Sequence, residues 1–503
     1  MAPESSSTFP RSAGVLLHPT SLPNRFGIGD LGAGARAFVD WLHEARLGLW
    51  QVLPLVPPGP GGSPYASTSA FAGSPLLIDL EDLVARGLLE PADLEGGANG
   101  DAFPPDRVDF ARVVPWKHAL VRRAAARFAR GHKRDVLEAF RHANPWVEEL
   151  ALFTVLKDLH GGKRWLDWEA GAREHEAAAM AAAKQRHAAE LDVVVAEQVL
   201  FDEQWRALHG YCAERGVRVI GDVPIYVDLD SADVWSNRSQ FLLKSDGTPL
   251  GVSGVPPDAF TELGQLWGNP LYDWKRMRTD GHAWWVERLR RMLSLCDVVR
   301  IDHFRAFAAY WAVPFGAEDA RGGQWVKGPG ALAFHDLEAA LGPLPVILED
   351  LGVITPDVIA LREQTGLPGM KVLQFAWEEG AEGAYLPHHH VPNCVVYTGT
   401  HDNDTSLGFW LSAPPHVQDH IRRYLCIDGH DFVWDFIRAA FASVAHTAIV
   451  PMQDVLCLDR GARMNTPGIA EGNWSWRVRR EAFNADTAVR LRTLAELYGR
   501  ARR

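Results

Sequence analysis

Val298-Val299-Arg300-Ile301-Asp302-His303-Phe304 is an apolar run that breaks into charge at its far end. A continuous Val/Ile run is what a strand covered on both faces requires, and such strands belong to parallel sheets wrapped by helices. Side chains alternate along a strand, so Arg300 and Asp302 share one face. Seven further runs have the same character: Gly14–His18, Leu49–Leu55, Arg218–Ile225, Val346–Leu351, Met370–Ala376, Cys394–Asp402 and Thr447–Val455. With Asp297–Phe304 they make eight, separated by helical patterns, which is the alternation of parallel β/α units. Eight such units close a (β/α)8 TIM barrel, whose catalytic groups stand at the C-terminal strand ends.

The units are unevenly spaced. About 160 residues separate the second and third runs, far more than one crossover helix needs. The middle of that gap, Trp116–Arg215, reads as helix, including the Ala-rich stretch Glu169–Glu190. Residues 56–216 are therefore read as an insertion carrying a mostly helical subdomain, a separate domain being the alternative. A second insertion, 226–297, is rich in Gly, Pro and Asp and reads partly as a long loop, with an active-site segment at 250–270. The expected organisation is one catalytic barrel over 1–503, with large insertions after strands 2 and 3. About 45 residues follow the last run, too few for a typical further domain.

Four runs end in or contain carboxylates. Arg300 beside Asp302 should lower that carboxylate's pKa and keep it ionised, as a nucleophile requires, although a structural Arg–Asp pair reads the same way. Glu349 follows Val346-Ile347-Leu348, and desolvation there would raise its pKa toward the protonated form that a general acid needs. A strand-end carboxylate facing solvent or capping a helix is the plainer reading. The run from Thr398 to Thr405, with His401, Asp402 and Asp404, is dense in hydrogen-bonding groups and suits sugar hydroxyls or a structural turn; its acids lack calcium-loop spacing. Asp222 interrupts an apolar strand and should have a partner or a ligand. Several carboxylates at one rim are what two-carboxylate glycoside chemistry uses, with a pair about 5–5.5 Å apart giving retention.

The bulk numbers narrow the classes. A net charge of −12, with both signs mixed along the chain, argues against nucleic acid or an anionic membrane as partner. No window of about 18 apolar residues reads as a membrane span. Cys212, Cys296, Cys394, Cys426 and Cys457 show no C-x-x-C spacing, so no zinc site or disulfide framework is expected, and free thiols suit a cytoplasmic location. Residues Met1 to Pro10 lack an apolar signal-peptide core. Nineteen Trp residues serve either a large core or the stacking of sugar rings. No P-loop or G-x-G-x-x-G context appears, which ranks a phosphate-handling barrel last.

A set of ordered motifs goes further. Gly14-Val15-Leu16-Leu17-His18-Pro19-Thr20-Ser21-Leu22, Ser63-Pro64-Tyr65, Gly254-Val255-Pro256-Pro257-Asp258, Gly264-Gln265-Leu266-Trp267-Gly268-Asn269-Pro270, Arg300-Ile301-Asp302-His303-Phe304-Arg305, Glu349-Asp350-Leu351-Gly352, Gly369-Met370-Lys371-Val372-Leu373-Gln374-Phe375, Thr400-His401-Asp402-Asn403-Asp404-Thr405 and Met464-Asn465-Thr466-Pro467-Gly468 run almost end to end. In these the chain resembles 4-α-glucanotransferases of the amylomaltase type, and matches weakest over about Asp101–Arg215. The resemblance implies a barrel without the C-terminal β-sandwich of α-amylases. It implies transfer of α-1,4-glucan segments to the 4-hydroxyl of glucose or a maltooligosaccharide through a covalent glucosyl-enzyme, with no metal or organic cofactor. A hydrolase of amylase type is the nearest alternative, and a non-catalytic glucan-binding protein a more distant one.

By the same resemblance Asp302 is the nucleophile, Glu349 the acid/base and Asp402 the third carboxylate. Arg300, His303, His401 and Asp222 would line the subsite on the non-reducing side of the cleaved bond. Asp258, Phe260, Trp267 and Asn269 fall in the matched active-site loop, the last three as glucan contacts; Ser63 and Tyr65 would meet sugars near the acceptor, and Asn465 is a further contact. Ala306, Ala308, Ala259 and the His388-His389-His390 run depart from the family pattern, and none replaces a catalytic carboxylate.

Overall fold

The computed structural model describes residues 10–95, 102–131, 134–257 and 261–502. Eight parallel strands form its centre: β1 (Ser12–Leu16), β2 (Leu49–Gln51), β3 (Arg218–Val223), β6 (Val298–Ile301), β9 (Val346–Leu348), β10 (Gly369–Val372), β11 (Cys394–Tyr397) and β12 (Thr447–Pro451). They pair in chain order, with β12 returning to β1 in the register Ser12 to Thr447 and Leu16 to Pro451. Across the remaining seam, between β9 and β10, the Leu348 N–H donates to Pro368 O at 2.9 Å. The result is a near-closed (β/α)8 barrel, and among the described residues no strand follows β12.

Period-two alternation divides each strand between two cores. Leu16, Leu49, Ile220, Val298, Ile347, Val395 and Ile449 pack together in one cluster that fills the barrel. Their neighbours Val15, Trp50, Val219, Val299, Val346, Val396 and Ala448 belong to the larger cluster shared with the surrounding helices. Parity then carries function. Asp222, Arg300, Asp302 and Glu349 lie an even number of residues beyond Ile220, Val298 and Ile347, so they continue the inward rows at the C-terminal rim. At the other end, a Cβ on Gly14 would come within 2.4 Å of Leu49 Cβ, so this close β1–β2 approach requires glycine.

All eight expected runs overlap a barrel strand, but each extends past its strand's end. Leu373–Phe375 is a 3-10 turn and Met452–Val455 a helix. The overrun has one cause: the rim residues are as apolar or as regularly spaced as the strand, while their backbone has already left the sheet. Between β2 and β3 the chain forms helices that include Phe110–Arg130, Arg134–Ala143, Trp146–Leu159, Ala177–Arg186 and Ala188–Glu214. The last packs on the barrel through Trp205, whose Nε1–H donates to Leu295 O at 2.8 Å.

A second sheet departs from the sequence reading. β4 (Gly251–Val255), β5 (Gln265–Pro270), β7 (Ala309–Pro314) and β8 (Gln324–Lys327) pair antiparallel in the order β5-β4-β7-β8. β4 and β5 fall in the stretch read as partly loop. Gly254 lies between Leu266 on one side and Trp311 on the other. Their Gly- and Pro-rich composition hides the strands, because the stabilising partner β7 comes only after another barrel strand. This sheet places Trp267 over the barrel mouth.

Candidate active site

The rim acids are held by groups from their own and neighbouring strands. Arg300, 3% exposed, donates from Nη1 to both oxygens of Asp222 at 2.8 Å and forms an ion pair with Asp302, Nη2 to Oδ1 2.8 Å. The Tyr65 hydroxyl donates to Asp222 Oδ2 at 2.7 Å. Asp222 therefore has the partners its burial demands, and Arg300 links it to the acid on the next strand.

Glu349 sits one residue past β9. Its Oε2 accepts the His303 N–H at 2.6 Å and its Oε1 accepts the Leu351 N–H at 2.7 Å. His303 is the residue after Asp302, so this bond ties the two acids' loops together. Reaching it requires a left-handed backbone at His303, φ 52°. The Phe304 N–H donates to Glu349 O and the Glu349 N–H to Ile301 O, each at 3.0 Å, which fixes the register of the two rims.

Asp402 completes the group from beyond β11. Its Oδ1 accepts from Asn465 Nδ2 at 2.6 Å and its Oδ2 lies 3.3 Å from His401 Nε2. His401 is stacked on Tyr65, with ring centroids 5.1 Å apart and planes at 10°.

The electrostatics separate two of the acids. Burial, with the Asp302 charge in second place, pushes Glu349 up to about 8. Burial also raises Asp302, to about 6, against the pull of Arg300. The sequence reading placed Asp302 below its ordinary value, and this is corrected. The sequence displays Arg300 but conceals the burial and the opposing charges of Asp222 and Asp402. At neutral pH these shifts favour an ionised Asp302 and a protonated Glu349, two acids whose surroundings set them apart.

The family model for 4-alpha-glucanotransferases matches residues 17–482, nearly the whole chain. The chain belongs to the 4-alpha-glucanotransferase family. Its relatives include the chloroplastic/amyloplastic 4-alpha-glucanotransferase of Solanum tuberosum, 46% identical over 97% of this chain and 86% of that protein. The 4-alpha-glucanotransferase of Thermus thermophilus is also 46% identical, over 97% of this chain and 98% of its own. Among solved structures, the amylomaltase of Streptococcus agalactiae in complex with acarbose superposes with a TM-score of 0.94 at 34% identity, covering 98% of this chain and 100% of that one.

Within this 4-alpha-glucanotransferase, most of the expected contact residues gather around the three acids. Trp267, 38% exposed, stands edge-on to His303 with centroids 4.7 Å apart. Ser63 Oγ accepts the Tyr65 N–H at 3.2 Å and so shapes the loop that delivers Tyr65. Asn269 is engaged within the protein: its Oδ1 accepts from Ser253 and its Nδ2 donates to Val227 O, both at 3.1 Å. It shapes the hairpin under Trp267. Asp258 and Phe260 lie outside the described residues.

Three residues at the site were given no role by sequence. Arg463 donates from Nη2 to Asp402 O at 2.5 Å and from Nε to Asn465 O at 2.7 Å, locking the two segments together. Trp474, with a left-handed φ of 63°, closes on Tyr65 and His401 with centroids 5.6 and 5.9 Å away. His18, buried at the end of the β1 segment, accepts the Leu53 N–H at Nδ1. Arg463 and His18 lie in or beside recognised motifs, which is a usable signal. Trp474 sits in an irregular loop where no periodicity marks it.

Proposed function

We propose that this 4-alpha-glucanotransferase moves segments of α-1,4-glucans to the 4-hydroxyl of glucose or a maltooligosaccharide by retaining double displacement. The observation that carries the reading is the joined pair: Glu349, held by the N–H of His303, beside Asp302, held by Arg300. Asp302 attacks the anomeric carbon while Glu349 gives its proton to the departing glycosidic oxygen. The C–O bond breaks and a β-glucosyl ester forms on Asp302. The shortened glucan leaves. Glu349, now a carboxylate, takes the proton from the acceptor's 4-hydroxyl as that oxygen displaces Asp302, and the α-1,4 bond is restored. Asp402, with Asn465 and His401 beside it, would grip ring hydroxyls and favour a distorted sugar.

Water competes with the acceptor for the ester. Orientation decides the outcome, since well-placed intramolecular partners reach effective molarities of about 10⁵–10⁸ M. The hairpin that carries Trp267 over the mouth is suited to hold an acceptor sugar there and to displace water. On maltotriose, we expect a ladder of longer and shorter maltooligosaccharides with free glucose and little net gain in reducing ends. Chromatography with a reducing-end assay checks this. Stoichiometric growth in reducing ends without longer products would favour the hydrolase reading instead.

The acid/base division also sets a pH profile. Activity needs Asp302 ionised, so kcat/KM should rise as pH passes about 6, and it needs Glu349 protonated, so it should fall as pH passes about 8. Initial rates from pH 4.5 to 9.5 test this, and a flat profile between 5 and 9 would contradict the assignment. The family's chemistry, with five free cysteines and no helix among the described residues long and apolar enough to cross a membrane, fits a cytoplasmic enzyme.

A further inference from the structure

The mechanism leaves His18 unused, although it lies beneath the site. It is 5% exposed, and its Nδ1 is 3.2 Å from the Leu53 backbone nitrogen. A backbone N–H can only donate, so Nδ1 is the acceptor and the proton of the neutral ring is on Nε2. Burial and the nearby His401 hold His18 down to about 3, so the ring stays neutral wherever the enzyme works. The β1–β2 link thus dictates the tautomer of His18 and leaves one N–H donor to be placed.

That donor borders a cavity. His18, Thr400, His401, Gln453, Asp454 and Arg463 are among the residues lining a partly open recess of about 20 Å³. A water needs roughly 10–15 Å³ and two to four polar partners, so this space suits a single molecule. Asp454's oxygens already accept from the Thr398 hydroxyl and from the N–H and hydroxyl of Ser406, at 2.6 to 2.7 Å.

His401 needs orienting. Tyr65 and Trp474 pack against its ring, but ring packing does not distinguish the two flips of an imidazole or its two tautomers. Only hydrogen bonds do that. One edge is placed: Nε2 lies 3.3 Å from Asp402 Oδ2, so the tautomer with its proton on Nε2 is the one this carboxylate favours. In that tautomer the other nitrogen, Nδ1, is an acceptor.

We propose that His18 is a positioning residue: its Nε2–H, through one water in this cavity, donates to His401 Nδ1. The wire runs from the Leu53 N–H through His18, the water and His401 to Asp402. It favours the His401 tautomer with its proton on Nε2, toward Asp402, and keeps the third carboxylate aligned for the sugar. The proposal rests on the function proposed above.

Two substitutions give opposite expectations. In His18→Asn the amide oxygen can still accept the Leu53 N–H, but no donor reaches the cavity. In His18→Gln the amide nitrogen reaches the Nε2 position and the near acceptor is lost. If the wire operates, His18→Asn lowers kcat on maltotriose by roughly ten- to a hundredfold with KM nearly unchanged, as small misplacements of reacting groups do. His18→Gln then keeps most of the activity. If His18 merely links β1 to β2, the order reverses, and an unimpaired His18→Asn or a more damaged His18→Gln overturns the proposal. Should both variants unfold, a neutron structure of the wild type decides. The proton on His401 Nε2 and a water between the rings are expected, while a proton on Nδ1 or no bridging water would sink the idea. A wild type that makes no maltooligosaccharide ladder would defeat the functional reading alone, since the neutron result stands apart from activity.

Discussion

Asp302→Asn should reduce maltotriose disproportionation on the order of 10⁴-fold or more, the scale seen when the covalent centre of an enzyme is removed. The amide is nearly the same size as the carboxylate and its oxygen can still face Arg300 Nη2, which is 2.8 Å from Asp302 Oδ1 in the native ion pair. Arg300 also keeps both bonds to Asp222, so its buried charge stays compensated. The thermal midpoint should therefore move by only a few degrees, as for a change costing about 1 kcal/mol. A second consequence is electrostatic. The Asp302 charge is one of the two causes that raise Glu349, so neutralising it should bring Glu349 down from about 8 while burial still holds it above an ordinary glutamate. Product chromatography, calorimetry and a titration of the Glu349 carboxyl by infrared spectroscopy separate these effects. Undiminished disproportionation in a preparation free of wild-type enzyme would remove Asp302 from the role of nucleophile.

How much of this was legible beforehand depends on how local the cause is. The barrel strands could be read because each must be apolar on both faces, a demand met within three to six residues such as Val298–Ile301. The inward row of Arg300 and Asp302 followed from strand alternation alone. β4 and β5 could not be read in this way, because Gly251-Val252-Ser253-Gly254-Val255 becomes a strand only when Ala309–Pro314 pairs with it. The pairing Gly254–Trp311 joins residues separated by a whole barrel strand. The charge state of Asp302 failed for a related reason: its nearest sequence neighbour of opposite sign was visible, and the burial that outweighs it was not. Glu349 was easier, since three preceding apolar residues already signal desolvation. Arg463 acts through backbone carbonyls of Asp402 and Asn465, and backbone carbonyls leave no mark in a sequence.

Glu349→Ala should divide its effect by leaving group. On maltotriose the departing oxygen needs a proton, and losing the acid should cost about 10²–10⁴-fold. On α-maltosyl fluoride the C–F bond breaks with little protonic help, so Asp302 should still form the β-maltosyl ester at a rate close to wild type. The ester then persists, because no base remains to activate an acceptor hydroxyl. Azide needs no deprotonation. Admitted where the carboxyl stood, it should displace Asp302 from the leaving-group side, forming a C–N bond as the ester C–O bond breaks. The product is α-maltosyl azide, with configuration retained. The same experiment on Asp302→Ala should give the opposite anomer, since azide there replaces the nucleophile and attacks the fluoride donor from the far side. The substitution removes the acceptor for the His303 and Leu351 N–H groups, so some loss of stability is expected. Azide rescue guards against mistaking this for lost chemistry, because a misfolded site would not turn over the fluoride. Proton NMR of the anomeric signal reads the outcome, and a β-azide from Glu349→Ala would exchange the roles assigned to the two acids.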